Sequence, residues 1–266
     1  MWDVDDEMEA ATPAETRAAM LRPQMRGYTQ VRGVFVQLPD GDGTPGSRAS
    51  TLAKMVHERR HRALLLYLLL LGAWRGLEGP DSTPLQADVW IRALTAPRGL
   101  TWSRSTLSRA WTTLEEMDLV VRKREDRTVR VTPRREDGAG VYERPSGRRD
   151  RMNKYFVLPD EFWTEDWFAK LSLPALAVLL VIAKETNNES EVRLTYPQFE
   201  DWYGIRRKTA QNGVAELRHH GLLNVRRNVI KAPLSPTGTT VETWYSLTGP
   251  FGHQSRKARQ KRAQDE

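Results

Sequence analysis

Residues 57 to 61 read H-E-R-R-H, the stretch in which residue type and spacing come nearest to a catalytic metal site. On a helix, His57 and His61 stand four apart on one face, where their imidazoles would bind zinc with Glu58 beside them as general base. A working centre also needs a third ligand, an open coordination position and a cleft. The nearest downstream carboxylate, Glu78, lies in the loop sequence GLEGPD with no helical pattern around it. Arg59 and Arg60 would put two charges on a helix that has to lie beneath the metal.

Other chemistry is thinner. The chain has no Cys and five scattered His, which removes disulfides and thiolate nucleophiles and leaves few ways to build a transition-metal site. No Gly-rich phosphate loop precedes a helix, and no G-x-S-x-G elbow occurs. No spacing of carboxylates marks an acid and base pair. Catalytic residues, metal ligands and cofactors are therefore all expected to be none.

The elements that carry these residues belong to a folded chain. Its 266 residues are 39% hydrophobic with nine Trp, enough for one large domain or two ordinary ones. The formal charge is +7, yet the first sixteen residues hold six acids and no Lys or Arg, so the remainder is more basic still. A body of that charge points to a polyanionic partner. The apolar run ALLLYLLLLGAW, residues 63 to 74, is too short to span a bilayer and predicts a buried core helix. The acidic N-terminus carries no secretory signal, so no membrane partner and a cytoplasmic location are expected.

Residues 194 to 223, LTYPQFEDWYGIRRKTAQNGVAELRHHGLL, are the most informative. Thr195 caps a helix and Gln198 completes a capping box, with Pro197 tolerated in the first turn. Gly204 supplies a tight turn. Ala210, Val214 and Leu217, at i, i+4 and i+7, then form the buried stripe of a second helix. An extended run follows, with two strands around a Pro/Gly-rich turn. The apolar helix LSLPALAVLLVIAKE precedes the whole set.

Sliding this pattern back by 103 positions finds WSRSTLSRAWTTLEEMDLVV, residues 102 to 121, with Leu107, Trp111, Leu114 and Leu119 on the same stripe. A basic hairpin, VVRKREDRTVRVTP, follows it with E-D-R at the turn, and the helix beginning near HERRH precedes it. Both units enter through a predicted strand, VFVQLP (34 to 39) or YFVLP (155 to 159). The first unit differs in an insertion before its second helix and in lacking a glycine at the position of Gly204.

Helix, tight turn, helix and hairpin, with an apolar helix in front, resembles the winged helix-turn-helix of bacterial transcriptional regulators. The likeness covers about 80 residues of the second half and is most specific from Thr195 to Leu223. Two copies in tandem resemble, in architecture, plasmid replication initiators. The expected fold is mainly α with small β wings (α+β), as two tandem winged helix-turn-helix domains. Residues 1–25 would be an acidic flexible segment, 26–136 the first domain, 137–150 a linker, 151–250 the second domain and 251–266 a basic C-terminal tail.

With the apolar stripe inward, helical geometry turns Lys208, Gln211, Asn212 and Ala215 outward, and in the first unit Ser105, Ser108, Arg109 and Thr112. Asn bonds adenine in two places, Arg does so with guanine, and Ser or Thr serves base or phosphate. Arg109 and Asn212 are equivalent, so the two units would read different half-sites. Arg122, Lys123, Arg124 and Arg127 on one wing and Arg226, Arg227 and Lys231 on the other would meet phosphate. Trp163, Trp167 and Trp202 are expected as core or lid residues.

The function expected is sequence-specific binding of double-stranded DNA, chiefly as a transcriptional regulator on an asymmetric or imperfectly repeated site. A plasmid- or phage-type replication initiator is the alternative, and a zinc metallopeptidase through His57, Glu58 and His61 is the remote one. Duplex DNA is the expected partner, with a homodimer open, and the location nucleoid-associated cytoplasm.

Overall fold

The 103-residue repeat has a physical counterpart in a computed structural model that describes residues 9–79, 81–97, 99–125, 128–147 and 150–265. The helices are α1 (Pro13–Leu21), α2 (Thr51–His57), α3 (His61–Leu77), α4 (Ala87–Leu94), α5 (Arg104–Glu116), α6 (Glu161–Thr164), α7 (Trp167–Lys170), α8 (Leu173–Glu185), α9 (Tyr196–Tyr203), α10 (Arg207–His219) and α11 (His253–Asp265). The strands are β1 (Tyr28–Arg32), β2 (Val120–Glu125), β3 (Thr128–Pro133), β4 (Tyr155–Pro159), β5 (Val192–Arg193), β6 (Leu223–Lys231) and β7 (Thr239–Leu247). They pair only in small antiparallel sheets, β1 with β4, β2 with β3, and β5-β7-β6. The chain is thus a mixed fold of packed helices and small sheets.

Helices α5 and α10 each have 13 residues and begin 103 positions apart. Each buries the same four places, Leu107, Ala110, Trp111 and Leu114 in one, and Ala210, Gly213, Val214 and Leu217 in the other. After each, one residue turns the chain through the left-handed region, Asp118 at φ 57° and Gly221 at φ 68°. A backbone bond then starts the hairpin, from Leu119 N to Leu114 O and from Leu222 N to Leu217 O, both 2.9 Å. Helix α8 lies against α10, and α3 against α5, so each long apolar helix serves as the floor of its unit. The capping box of Thr195 and Gln198 forms as its sequence demands, and Gly204 ends α9 at φ 64°.

The units are joined more closely than two linked domains. Strands β1 and β4 pair from Tyr28 opposite Pro159 to Arg32 opposite Tyr155, and the buried apolar side chains form one continuous core. The strand expected at 34 to 39 is replaced by β1 just before it. Val34, Phe35 and Val36 are buried in succession, which suits the 3-10 turn Gly33–Phe35 and not the alternation of a strand. Gln37 Nε2 donates to Trp202 O at 2.9 Å and accepts, through Oε1, from Lys184 Nζ at 2.6 Å. At the centre lies an ion pair, Arg32 Nη1 to Glu136 Oε2 at 2.6 Å, with both side chains buried.

Three segments expected as accessories are parts of this body. Residues 13–21, placed in a flexible segment, form α1 behind a capping box of Thr12 and Glu15. Its Arg17, buried, donates to Ala93 O at 3.0 Å, Thr95 O at 3.2 Å and Asp166 Oδ1 at 2.6 Å, tying the segment to both units. In the expected linker, Tyr142 is buried edge-on against Trp74 and beneath the Arg32 guanidinium. The expected tail contains α11, fixed by buried Arg256, which donates to Phe251 O, Ala183 O and Thr186 O at 2.8–2.9 Å. The bonds to Ala183 and Thr186 satisfy carbonyls at the C-terminal end of α8, a role that hydrophobic patterning does not reveal.

Candidate nucleic-acid interface

The apolar stripe of α5 seats on α3 and α4, with Trp111 edge-on to Trp90 at 5.3 Å, so its opposite face looks outward. Ser105, Ser108, Arg109 and Thr112 are all exposed there. Arg109 Nε donates to Ser105 O at 3.3 Å, a loose bond within the helix. Ser103 caps the helix by accepting from Thr106 N at 3.2 Å. Glu115 and Glu116 close the exposed face in acid.

Helix α10 is seated by an unusual approach. Gly213 is buried, and a Cβ built on it would lie 2.3 Å from Pro174 O, so the backbones of α10 and α8 nearly touch. Glu216 turns inward, accepting from Ser172 N at 2.7 Å and from Ser172 Oγ at the start of α8. Lys208, Gln211, Asn212 and Ala215 are exposed, and none of their side chains hydrogen-bonds another among the described residues. Arg206, Lys208 and Arg218 surround that face, while Arg207 pairs with Glu200 at 2.8 Å. The two helices thus differ in charge: α10 presents cations, whereas α5 has Arg109, an Arg104 paired to Asp88 and its terminal acids.

The hairpins divide the expected phosphate contacts. Arg122, half-buried, is engaged by an acid; its Nη2 lies 2.5 Å from Glu115 and 3.3 Å from Thr112 Oγ1, stapling the hairpin to α5. That bond holds the Glu115 carboxyl below its usual range. Arg226 is likewise engaged, 2.7 Å from Glu191 and stacked over the Trp244 ring at 5.4 Å. These two sites depart from the expectation of open cations because each has an acid across the sheet or helix to neutralise it. Lys123, Arg124, Arg227 and Lys231 are exposed. Arg127 lies outside the described residues. In the first unit, Arg130 donates from Nη1 and Nη2 to Ser82 Oγ and O at 2.9 and 2.7 Å, a side-chain bridge where the second unit has strand β5.

HERRH is not one helical face. His57 ends α2, Glu58 follows as its cap, Arg59 takes φ 57°, and His61 begins α3. His57 and His61 therefore stand on two helices with a reversal between them, and the i, i+4 geometry required of zinc ligands is lost. Burial, then the neighbouring Arg62, pushes the His61 imidazole down to about 4, so it is neutral at pH 7. Among the described residues no group of three or more His, Asp or Glu is placed to hold a metal ion. The corner instead brings Arg59, Arg60 and Arg62 to a recess of about 510 Å³ whose other wall is α5, with Thr106, Arg109 and Thr113. The sequence marks these arginines as a charged helix edge; their meeting with Arg109 across the chain is a tertiary fact that no local pattern signals.

Cations of α11 also escape a reading by residue type alone. Arg256 and Arg259 serve the fold, the latter paired with Glu161, while Lys257, Lys261 and Arg262 are exposed. No described helix is long and apolar enough to cross a membrane; α3, the longest of them, ends after 17 residues. No protein-family model, curated protein or solved structure matches the chain.

Proposed function

We propose that this chain is a sequence-specific binder of double-stranded DNA, built from two tandem winged helix-turn-helix units and acting as a transcriptional regulator in the nucleoid-associated cytoplasm. The observation that carries the proposal is the pair of equivalent helices, α5 and α10, each held by its apolar stripe with a polar, unlike face exposed. A helix so presented fits the major groove, where Asn212 and Gln211 would bond adenine and Ser108 or Thr112 would bond base edge or phosphate. Lys123, Arg227 and Lys231 on the hairpins would meet the flanking backbone. Of the two helix faces, that of α10 carries the stronger positive charge.

Selection of bound fragments from genomic DNA, followed by gel-shift titration, tests this. Binding should weaken steeply with salt, Asn212→Ala should relax base preference, and Arg227→Ala should weaken all sequences alike. A chain that binds no duplex at low salt would overturn the proposal in favour of a protein-interaction module of the same fold. A selected site overlapping a promoter supports a regulator; one within an origin of short repeats identifies a replication initiator instead.

A further inference from the structure

We infer that the recess between the α2–α3 corner and α5 is a phosphate site that grips the DNA backbone beside the first recognition helix, and that Arg109 belongs to it and not to base readout. The inference rests on the DNA-binding proposal and deepens it.

Four guanidiniums line one opening, Arg59, Arg60 and Arg62 from the corner and Arg109 from α5, and no acid is among the lining residues. Like charges around one opening repel one another, and a bound anion offsets that cost. Planar guanidinium forks match the paired oxygens of a phosphate better than a point charge does. Thr106 and Thr113 stand three residues before and four after Arg109, on the same side of α5, and line that wall with it.

The corner also holds its charges in place. Arg62 Nη1 donates to Thr101 O at 2.5 Å, and its guanidinium lies over the Trp102 ring at 5.2 Å. The Arg60 guanidinium pairs with Glu58 at 3.2 Å, an exposed pair that competes weakly with a phosphate. Helix α3 begins here without a side-chain cap, and His61, Arg62 and Ala63 of its first turn line the opening. His61, neutral and with its Nε2 enclosed, adds no charge, and the arginines supply all of it. Because the recess is open and continuous with the exposed face of α5, a polyanion spanning both surfaces fits it better than a small phosphorylated molecule does.

Fluorescence anisotropy on the selected duplex and on an unrelated one, across a salt series, provides the test. Arg109→Ala and Arg59→Gly should each weaken both duplexes roughly tenfold and lower the salt slope by about one. Arg109→Lys should keep most of the affinity for both. Glycine at 59 suits the backbone there, so that variant keeps the corner folded, and melting curves confirm it. Loss of preference for the selected duplex in Arg109→Ala, with the slope unchanged, would return Arg109 to base reading and overturn the inference. Unchanged binding in Arg59→Gly would overturn the site. Failure of the wild-type chain to bind any duplex would instead sink the parent proposal. In that case, pyrophosphate stabilising the wild type but not Arg59→Gly would reassign the recess to a soluble phosphorylated ligand and overturn the backbone role.

Discussion

Replacing Gly213 with alanine sets two effects of opposite sign against each other. In an exposed helix the change is stabilising by about 1 kcal/mol, since glycine has more backbone freedom to lose. Here the new Cβ would sit 2.3 Å from Pro174 O and 2.7 Å from both Pro174 C and Val178 Cγ2. Two of those atoms are backbone of α8 and cannot rotate away, so α10 must lift by roughly 1 Å to reach an ordinary carbon–oxygen contact. Forcing atoms into a packed core costs about 1–3 kcal/mol. The clash involves main chain on both sides, so the upper part of that range applies and the net loss is about 1–2 kcal/mol. Urea denaturation followed by circular dichroism should show it, with a melting temperature lower by roughly 2–6 °C. Ala215→Gly, on the exposed face of the same helix, is the control and should lose about 1 kcal/mol through propensity alone. A Gly213→Ala chain as stable as the wild type, or more so, would refute the close-packing argument for seating α10.

Glu136→Ala should destabilise the chain by about 3–5 kcal/mol because Arg32 is left charged and buried, and a double replacement by Met and Leu should recover part of the loss in a mutant cycle. Asp160 supplies a pH dependence. Burial pushes its carboxyl up to about 6 despite two hydrogen bonds from Gln24, so the folded chain binds this proton more tightly than the unfolded one. Its contribution to stability is fully present below the usual carboxylate pKa and is lost as pH rises through about 6. Asp160→Asn should therefore match the wild type near pH 4 and be more stable near pH 7.5, on the order of 2 kcal/mol, as calorimetry would read. Arg59→Gly should raise stability by about 1 kcal/mol in thermal melts by relieving a positive φ, while weakening DNA binding as inferred above.

What was legible in the residues was local. The Thr195 capping box, the stop at Gly204, the stripes of α5 and α10 and both hairpins follow from spacing, because each is decided within a few turns of chain. The break inside HERRH was hidden, since an arginine and not a glycine or proline makes the reversal. Pairing of β1 with β4 joins residues more than a hundred positions apart, and no pattern within either strand specifies its partner. Helices α1 and α11 were read as loose ends for a related reason. One follows an acidic run and the other has no apolar face; each is held by a buried arginine bonded to distant carbonyls, which periodicity does not detect. At the candidate interface, the outward faces of both helices were foreseen, whereas the acids that engage Arg122 and Arg226, and the arginines that meet Arg109, depend on the assembled units.

The pairing of β1 with β4 also has a consequence during synthesis. Strand β1 is made early, but its partner leaves the ribosome only after roughly 120 more residues, about 6–25 s later at ordinary elongation rates. Throughout that interval the nascent chain carries an unpaired strand edge next to the leucine-rich α3, whose cover is not yet complete. Such an edge invites pairing with other chains. The first half of this protein should therefore depend on chaperones while it is being made, and that dependence should end abruptly once Pro159 is free to dock.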